Sequence, residues 1–218
     1  MSTEFLQKFT QDVAQRIKAH GQMWYEEVAK ELGEKKAELL RQKVELQVQK
    51  NMEQRREGKS ALGLDDLAKC WLAQDGFWFQ AVEFSENMAI AKKCNDATWE
   101  KFSPFEAQSI KNLLGMGDKE GLLGLQRALD YRIYSRLNKQ SSYFENGALI
   151  FSMNDCRVQS ARVRKGLADY PCKSAGLVEY SYFARGIDSR IAMECLGCPP
   201  DAHPKEWFCA WKFYLEAK

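Results

Sequence analysis

The chain has 218 residues, of which 45% are hydrophobic and 28% charged, a balance typical of a globular protein with one domain or two small ones. Its 32 Lys and Arg residues nearly match 30 Asp and Glu residues, so the formal net charge is +2 and a nucleic-acid partner is not expected. No run of about 18 apolar residues occurs, which argues against a membrane span. The first nine residues are polar and lack the apolar stretch of a secretory signal, so we expect a cytoplasmic protein.

The N-terminal residues 3 to about 57 are predicted to be helical. Gly21 and Gly33 interrupt the pattern, which indicates two or three helices rather than one rod. Residues 34–56 form either a dimerising coiled coil or an amphipathic helix that packs on its own domain, and the absence of sustained heptads favours the second interpretation. The sequence leaves open whether the protein forms a homodimer. The apolar side chains that recur three or four residues apart are Leu6, Phe9, Val13, Ile17, Trp24, Val28, Leu32, Leu40, Val44, Val48 and Met52.

The middle of the chain is predicted to mix helices and strands. After a break at residues 57–60, a helix is expected over 64–73, with Asp65 or Asp66 near its start, where a carboxylate suits the helix dipole. Residues 77–84 and 88–93 are short β-prone runs joined by a turn, and they predict two strands. Residues 98–137 return to a helical pattern that breaks near residues 115–117.

The last part of the chain is predicted to contain strands near 143–144, 148–153, 191–196 and 207–215, with helices over about 157–166 and 175–186. The predicted fold class is α+β: a helical N-terminal part followed by a mixed, mainly antiparallel sheet with helices on one face. We divide the chain into segments 1–60, 61–140 and 141–218, with one continuous domain as the alternative. Residues 86–96 and 145–155 share a short sequence similarity, and a duplicated strand–turn–helix unit is an open hypothesis.

The cysteines are unevenly placed, since five of the seven fall between Cys156 and Cys209. Cytosolic thiols stay reduced, and a cysteine cluster in such a protein is more often metal-binding or catalytic than disulfide-forming. The other two cysteines, Cys70 and Cys94, have apolar neighbours and are expected to be buried small hydrophobic residues.

The cysteine pattern of the C-terminal part predicts a metal site. Cys195 and Cys198 form a C-x-x-C pair around Gly197, a knuckle that lets two sulfurs face one ion. Cys172 and Cys209 lie within the same stretch and complete a four-cysteine set, the usual ligand set of structural zinc. Three alternatives stay open: iron or an iron–sulfur cluster, a redox dithiol, and four inert buried thiols.

Three further residues are candidates for catalysis. Cys156 stands at the predicted start of a helix, where the helix dipole would lower the pKa of the thiol and favour a nucleophilic thiolate; a buried or cluster-neighbouring cysteine is the alternative. His203 follows the knuckle and is a metal ligand, a proton shuttle or a loop residue. Asp188 and Glu194 are the acids considered nearest to the cluster, and either is a candidate general base. The alternative is that Asp188 is an ordinary turn residue and Glu194 a solvated strand residue.

The C-terminal residues resemble a known group of proteins, an uncharacterised prokaryotic cytosolic family that is similar to L-2-amino-thiazoline-4-carboxylic acid hydrolases. Those enzymes open a small cyclic amidine-like ring by hydrolysis. The resemblance covers residues 156–213 and is faint before them. It is carried by Cys156, Gly166-Leu167, Pro171-Cys172, Phe183-Ala184-Arg185, Ile187-Asp188-Ser189-Arg190, Cys195, Cys198-Pro199-Pro200, His203-Pro204, Cys209, Trp211 and Phe213.

The final strand also resembles the end of 4-vinyl reductase domains, which bind small molecules and carry a cysteine-rich zinc site. In that domain a carboxylate and a cysteine three residues later are ligands, and the resemblance implies Cys195 and Cys198 at these two positions, with Cys172 and Cys209. The loop between Cys198 and Cys209 is longer here and carries His203. Four thiolates in place of three and a carboxylate favour a structural ion over a catalytic one.

Two functions follow as expectations. The first is a cytoplasmic zinc-binding protein that binds a small molecule in a pocket lined by aromatic residues. The alternative is a hydrolase of a small cyclic amidine or amide C–N bond, so the sequence leaves open whether the protein is an enzyme. The aromatic residues in question, more often core than pocket, are Phe77, Trp78, Phe79, Trp207 and Trp211.

Overall fold

The computed structural model describes residues 2–216. Within this range helices dominate the first two thirds of the chain and strands appear after residue 138. In chain order the elements are α1 (Thr3–Leu32), α2 (Glu34–Arg56), α3 (Leu64–Ser85), α4 (Met88–Leu114), α5 (Gly121–Leu129), a 3-10 turn (Ile133–Arg136), β1 (Lys139–Glu145), β2 (Ala148–Asp155), α6 (Arg157–Val163), α7 (Lys173–Ile187), β3 (Ile191–Gly197) and β4 (Cys209–Leu215).

The chain divides into two compact units, the first up to Phe102 and the second from Ser103 onward. The division falls inside α4 and inside the second of the three predicted segments. The N-terminal unit is entirely helical over the described residues, and the C-terminal unit holds the sheet. This arrangement confirms the predicted α+β class with a helical N-terminal part.

Helices α1 and α2 follow the predicted apolar stripe. Helix α1 runs through Gly21 without a break and ends before Gly33, whose φ of +84° is accessible to glycine at little cost. On α2, Leu40 and Val44 are buried against α1 and α3. These contacts confirm that α2 is an amphipathic helix packed on its own unit.

The predicted strands at residues 77–84 and 88–93 are wrong, because both stretches are helical. Helix α3 continues from Leu64 to Ser85 and buries Trp71, Trp78 and Val82 at helical spacing. Packing of this face against α1 and α2 overrides the strand preference of the Phe-Trp-Phe run. The proposed duplication fails for the same reason: residues 86–87 join two helices, whereas residues 146–147 join two strands.

A buried polar pair lies among the aromatic residues of the N-terminal unit. His20 is fully buried, and its ring centroid is 4.7 Å from that of Phe102 and 5.4 Å from that of Trp71. Its Nε2 lies 3.5 Å from the carboxylate of Asp75, which also accepts a hydrogen bond from the indole of Trp24 at 2.9 Å. Burial lowers the pKa of His20 to about 3 and raises the pKa of Asp75 to about 6.

The strands of the C-terminal unit form one antiparallel sheet over the described residues, with the order β1-β2-β4-β3. Asn146 and Gly147 both have positive φ, the geometry of the two-residue turn that matches the twist of a hairpin, and they join β1 to β2. Strand β2 is central and is paired on both sides, with Phe151 opposite Ser142 of β1 and Trp211 of β4.

One face of this sheet forms the core of the C-terminal unit together with α5 and α7. Alternate residues of β2, β3 and β4 reach this core, as expected from the two-residue period of a strand. Glu106 and Glu179 flank the buried guanidinium of Arg132 at 2.8 and 2.7 Å, which pairs three charges that would be costly alone. The apolar core residues include Leu125, Leu129, Leu149, Phe151, Met153, Tyr180, Phe183, Ile187, Ile191, Trp211 and Phe213.

None of the helices in residues 2–216 combines the length and the apolar character needed to cross a bilayer.

Replacing Asp75 by Asn should make the N-terminal unit sensitive to acid. In the wild type the pKa of His20 lies below its ordinary value and that of Asp75 above it. Between about pH 4 and 6 the folded pair holds one proton, on Asp75, and the unfolded pair also holds one, on His20. Because the proton count is equal, the pair does not make the free energy of unfolding depend on pH in this range. In Asp75→Asn only His20 remains, and below about pH 6.5 the unfolded state binds a proton that the folded state does not.

Relative to wild type, the free energy of unfolding of Asp75→Asn should therefore fall by about 1.4 kcal/mol for each pH unit lost between about pH 6 and 4. Urea unfolding followed by Trp fluorescence measures this slope. The double variant His20→Leu/Asp75→Asn is the control and should lose the slope. A difference between Asp75→Asn and wild type that does not change with pH would contradict the assignment.

Candidate metal centre

Five cysteines of the C-terminal unit meet at one end of the sheet. Cys156 follows β2, Cys195 and Cys198 lie at the end of β3, and Cys209 begins β4. Because β2 and β3 both run antiparallel to β4, the ends of the first two strands lie beside the beginning of the third. Cys172 joins them as the residue that precedes α7.

Three of these thiols are in direct contact. The Sγ atoms of Cys172 and Cys198 lie 3.6 Å apart, and Cys198 also forms a side-chain hydrogen bond with Cys209. The hydrogen bond from Cys198 is the main cause that lowers the pKa of Cys172, while the same contacts raise the pKa of Cys198. Cys172 also precedes the first residue of a 15-residue helix, whose dipole favours negative charge at this end.

Gln159 of α6 holds the backbone at Tyr170, two residues before Cys172, and contacts the Cys172 sulfur. Its side chain is buried, and its amide Nε2 donates to the carbonyl of Tyr170 at 2.8 Å and to Cys172 Sγ at 3.4 Å. Its Oε1 accepts from the backbone N–H of Tyr170 at 2.8 Å. On the other side, the N–H of Lys173 donates to the carbonyl of Pro199 at 2.9 Å, which ties the start of α7 to the knuckle.

Cys195 stands beside the three contacting thiols. It pairs across the sheet with Trp211 and packs against the core that these thiols border. Burial raises the pKa of its thiol, and the charge of Lys173 opposes this shift. Gly197 has an unexceptional φ, so the turn does not demand glycine; a Cβ at this position would lie 2.9 Å from the ring of Trp207. The glycine of the knuckle is thus required by packing.

The four predicted metal ligands are therefore brought to the same place, but they do not form a finished coordination shell. Over residues 2–216 no group of three or more His, Cys, Asp or Glu side chains already has the arrangement of a metal site. Cys172, Cys198 and Cys209 touch, and Cys195 lies next to them.

The expected activation of Cys156 is wrong. Cys156 is the N-cap residue of α6, yet burial raises the pKa of its thiol to about 12. Desolvation of the thiolate outweighs the backbone N–H groups of the short helix, and nearby Cys209 and Cys172 add to the rise. Cys156 lacks the electropositive, exposed surroundings of a reactive cysteine.

His203 is held by its neighbours on both ring nitrogens. Nε2 lies 3.0 Å from the carboxylate of Asp169, and Nδ1 lies 2.8 Å from the carbonyl of Pro204. These acceptors raise the pKa of His203, the carbonyl of Pro204 most of all. Two acceptors favour the doubly protonated imidazolium, which has no lone pair for a metal. In this geometry His203 links two loops.

The expectation that Asp188 lies near the cysteines is wrong. Asp188 follows the last residue of α7, whereas Cys172 precedes the first, and 15 helical residues span about 22 Å. Its buried carboxylate accepts hydrogen bonds from Arg190 and from the N–H of Gly121, contacts that lower its pKa strongly. Asp188 anchors the end of α7 to β3 and α5, and Glu194 is a half-exposed strand residue paired with Lys212.

Four of the aromatic residues expected to line a pocket belong to the packing of two separate units, and the fifth, Trp207, is half-buried beside Gly197 and His203. Trp78 is in the core of the N-terminal unit, where Phe77 and Phe79 pack against it, and Trp211 is in the core of the C-terminal unit. An open groove of about 550 Å³ lies instead in the N-terminal unit, along the last turns of α2. Its walls include Val48, Met52 and Leu62.

Sequence reasoning missed two residues of the centre. Gln159 gives no sequence signal, since a glutamine in a predicted amphipathic helix is usually exposed. Gly176, in the first turns of α7, has a weak signal as a glycine inside a helix. A Cβ there would lie 2.8 Å from Cζ2 of Trp211 and 3.7 Å from Sγ of Cys198, so its absence lets α7 approach β4.

The fold and the thiol cluster define an α+β protein with an all-helical N-terminal unit and a cysteine-rich C-terminal unit. Residues 53–215 match the family described as "Family of unknown function (DUF6125)". The match covers well over half of the chain, and the chain belongs to this family. It shows no link to the thiazoline hydrolases or to the 4-vinyl reductase domains. Comparison with the curated proteins and with the solved structures found no match.

Substituting Gly176 by Ala should destabilise the C-terminal unit. The added methyl group would overlap the Trp211 ring, and overpacking of this kind costs about 1–3 kcal/mol. The matched control is Gly76→Ala inside α3, where no atom lies within 4 Å of the new Cβ, and which should stabilise the protein by up to about 1 kcal/mol. Denaturant unfolding of both variants measures the contrast, and equal effects would refute it.

Proposed function

We propose that this protein binds zinc through Cys172, Cys195, Cys198 and Cys209 and that the ion stabilises the C-terminal unit. The observation that carries the proposal is the 3.6 Å separation of the Cys172 and Cys198 sulfurs. Two sulfurs that each lie about 2.3 Å from one tetrahedral ion are about 3.8 Å apart, whereas a disulfide would bring them to about 2.05 Å. The pair is therefore spaced for a shared ion.

The surroundings of the thiols also suit bound thiolates. The Gln159 amide already donates to the Cys172 sulfur, as outer partners of metal ligands do, and the ammonium of Lys173 acts on Cys195 and Cys198. Two buried donors of this region, Ser174 Oγ and Trp211 Nε1, have no hydrogen-bond partner among the described residues. Such donors are costly to bury, and the negative charge of metal thiolates nearby would lower that cost.

A structural role suits this ligand set better than a catalytic one. Four thiolates fill the tetrahedral shell of zinc and leave no position for water or substrate. The ligands come from β3, β4 and the residue before α7, so one ion would hold the sheet to its covering helix. The chemistry that the ion supplies is cross-linking of these elements.

No observation favours the hydrolase alternative. Cys156 is held as a thiol by burial, His203 is engaged by Asp169 and Pro204, and Asp188 lies at the far end of α7. A small-molecule ligand and a cytoplasmic location stay predictions, and the groove along α2 is where a search for the ligand starts.

The proposal predicts about one zinc per chain in protein purified under reducing conditions without a chelator. Cys172→Ser/Cys198→Ser should bind none and lose the cooperative unfolding of the C-terminal unit, because zinc binding of this kind contributes on the order of 10 kcal/mol. Elemental analysis and thermal unfolding test both points, and analysis for iron tests the alternative metal.

The control is Cys70→Ser/Cys94→Ser, which removes two buried thiols of the N-terminal unit and should retain the metal. Metal-free wild-type protein that unfolds as cooperatively as a zinc-supplemented sample would contradict the proposal.

A further inference from the structure

The sheet of the C-terminal unit has two edge strands, and they differ in how open they are to a further strand. In the order β1-β2-β4-β3, the outer edges belong to β1 and β3. The pairing of β3 with β4 is irregular between Cys195 and Gly197, and irregularities of this kind protect an edge from pairing with another chain.

Strand β1 is continuous along its length. Its residues pair one by one with β2 from Gln140 to Glu145. The register shift between Lys139 and Gln140 comes from Asn154, which is an extra residue of β2 and not of β1. The side chains of β1 are exposed or half-buried, and within residues 2–216 no strand pairs with its outer edge. This edge is therefore open to a further strand.

The outer edge of β1 presents the backbone groups of every second residue. The two-residue turn at Asn146-Gly147 makes Glu145 and Ala148 the closing pair of the hairpin, and the closing pair of such a turn is hydrogen-bonded. Because hydrogen-bonded and non-bonded pairs alternate, Tyr143 and Ser141 also direct their backbone groups at β2. The remaining residues, whose N–H and C=O groups face away from β2, are Gln140, Ser142 and Phe144.

Exposed apolar side chains flank this edge. Gln126 of α5 donates a hydrogen bond to Oγ of Ser142 at 3.0 Å, and Gln140 donates to the carbonyl of the last residue of α5 at 3.2 Å. Helix α5 and β1 therefore run in opposite directions, and Leu123, one turn before Gln126, lies toward Phe144. Leu123 and Phe144 are 71% and 45% exposed, so they add apolar surface next to the open backbone groups.

The sequence of β1 is complementary to itself in one antiparallel register. When two copies of β1 run antiparallel with Ser142 opposite its counterpart, Lys139 of each copy lies opposite Glu145 of the other. The outward-facing residues then form the hydrogen-bonded pairs, since Gln140 lies opposite Phe144. A parallel pairing in register would place like charges beside each other, and a shifted antiparallel pairing would separate Lys139 from Glu145.

The helix that covers the sheet leaves room for a second copy at this edge. Helix α5 packs mainly on β2, β4 and α7. In a sheet that continues from β1 into a second β1, the two β2 strands are three strand spacings apart, about 14 Å. This separation exceeds the roughly 8–10 Å between the axes of packed helices, so the two α5 helices do not collide. Leu123 and Phe144 of both copies border the space between them.

We propose that β1 is a dimerisation edge, at which two copies of this chain join their sheets into one antiparallel sheet of eight strands. The partner is a second copy because the edge supplies both members of its own charge pair. The strand is short and its ion pairs are exposed, so the dimer forms and dissociates reversibly. The proposal uses none of the thiols and is independent of the zinc site.

Sedimentation velocity of the full chain under reducing conditions tests the proposal over a range of protein concentrations. The wild type should pass from monomer to dimer as its concentration rises. Lys139→Glu places two carboxylates opposite each other at both ends of the paired strands, and Glu145→Lys places two ammonium groups there. Each variant should raise the dissociation constant of the dimer by about tenfold or more.

An equimolar mixture of Lys139→Glu and Glu145→Lys should restore dimerisation, because every end of a mixed dimer pairs a carboxylate with an ammonium group. The mixture separates an effect on the interface from an effect on the fold of either variant. Lys212→Glu, on β4 of the same sheet, is the control for charge reversal and should leave the dissociation constant unchanged.

A substitution in the backbone of the edge provides a second test. Ser142→Pro removes an outward N–H that the pairing with β2 does not use, so the variant should fold and lose the dimer. Circular dichroism checks its fold, and the charge variants decide the question if it does not fold.

Restored dimerisation in the mixture supports the proposal. A wild-type chain that stays monomeric at every concentration overturns it. A dimer that Lys139→Glu and Ser142→Pro leave intact also overturns it and assigns the contact to another surface, such as the groove along α2.

Discussion

The close approach of α7 to β4 is the constraint on which the C-terminal unit depends. Gly176 leaves the space that the ring of Trp211 occupies, and the same contact brings the first turn of α7 beside Cys198. A larger residue at this point would move Cys172 away from Cys198 and the start of β4. The position of the thiols is thus a consequence of how the helix packs on the sheet, since Cys172 is held by α7 and its partners by the strands.

Helix α7 is fixed at both of its ends by polar contacts of different kinds. At its start, sulfur contacts and the bond from Lys173 N–H to Pro199 join it to the knuckle. At its end, the carboxylate of Asp188 joins Arg190 and the first residue of α5. Between the two ends, the carboxylate of Glu179 forms an ion pair with the guanidinium of Arg132. Asp188 and Glu179, whose carboxylates are of a type common in catalysis, are therefore engaged in holding the helix.

The N-terminal unit is stabilised in another way. Its core contacts are aromatic and aliphatic, with Trp24 and Trp78 stacked at 6.3 Å and nearly parallel. The buried His20 is tolerated there because burial lowers its pKa and keeps the ring neutral, and Asp75 is tolerated because its carboxylate accepts a hydrogen bond from the indole of Trp24.

Local patterns by themselves determined helices α1 and α2, the strands after residue 138 and the concentration of cysteines near the C-terminus. Helical spacing and the Asn146-Gly147 turn depend on neighbours close in the chain. Tertiary packing decided the rest: residues 77–84 are helical because their face completes a core, and burial, which sequence does not display, raised the pKa of Cys156. Asp188 is 16 positions from Cys172 in sequence and is removed from it by the length of a helix. Proximity along a chain becomes proximity in space only when the chain between two residues turns back, and α7 does not.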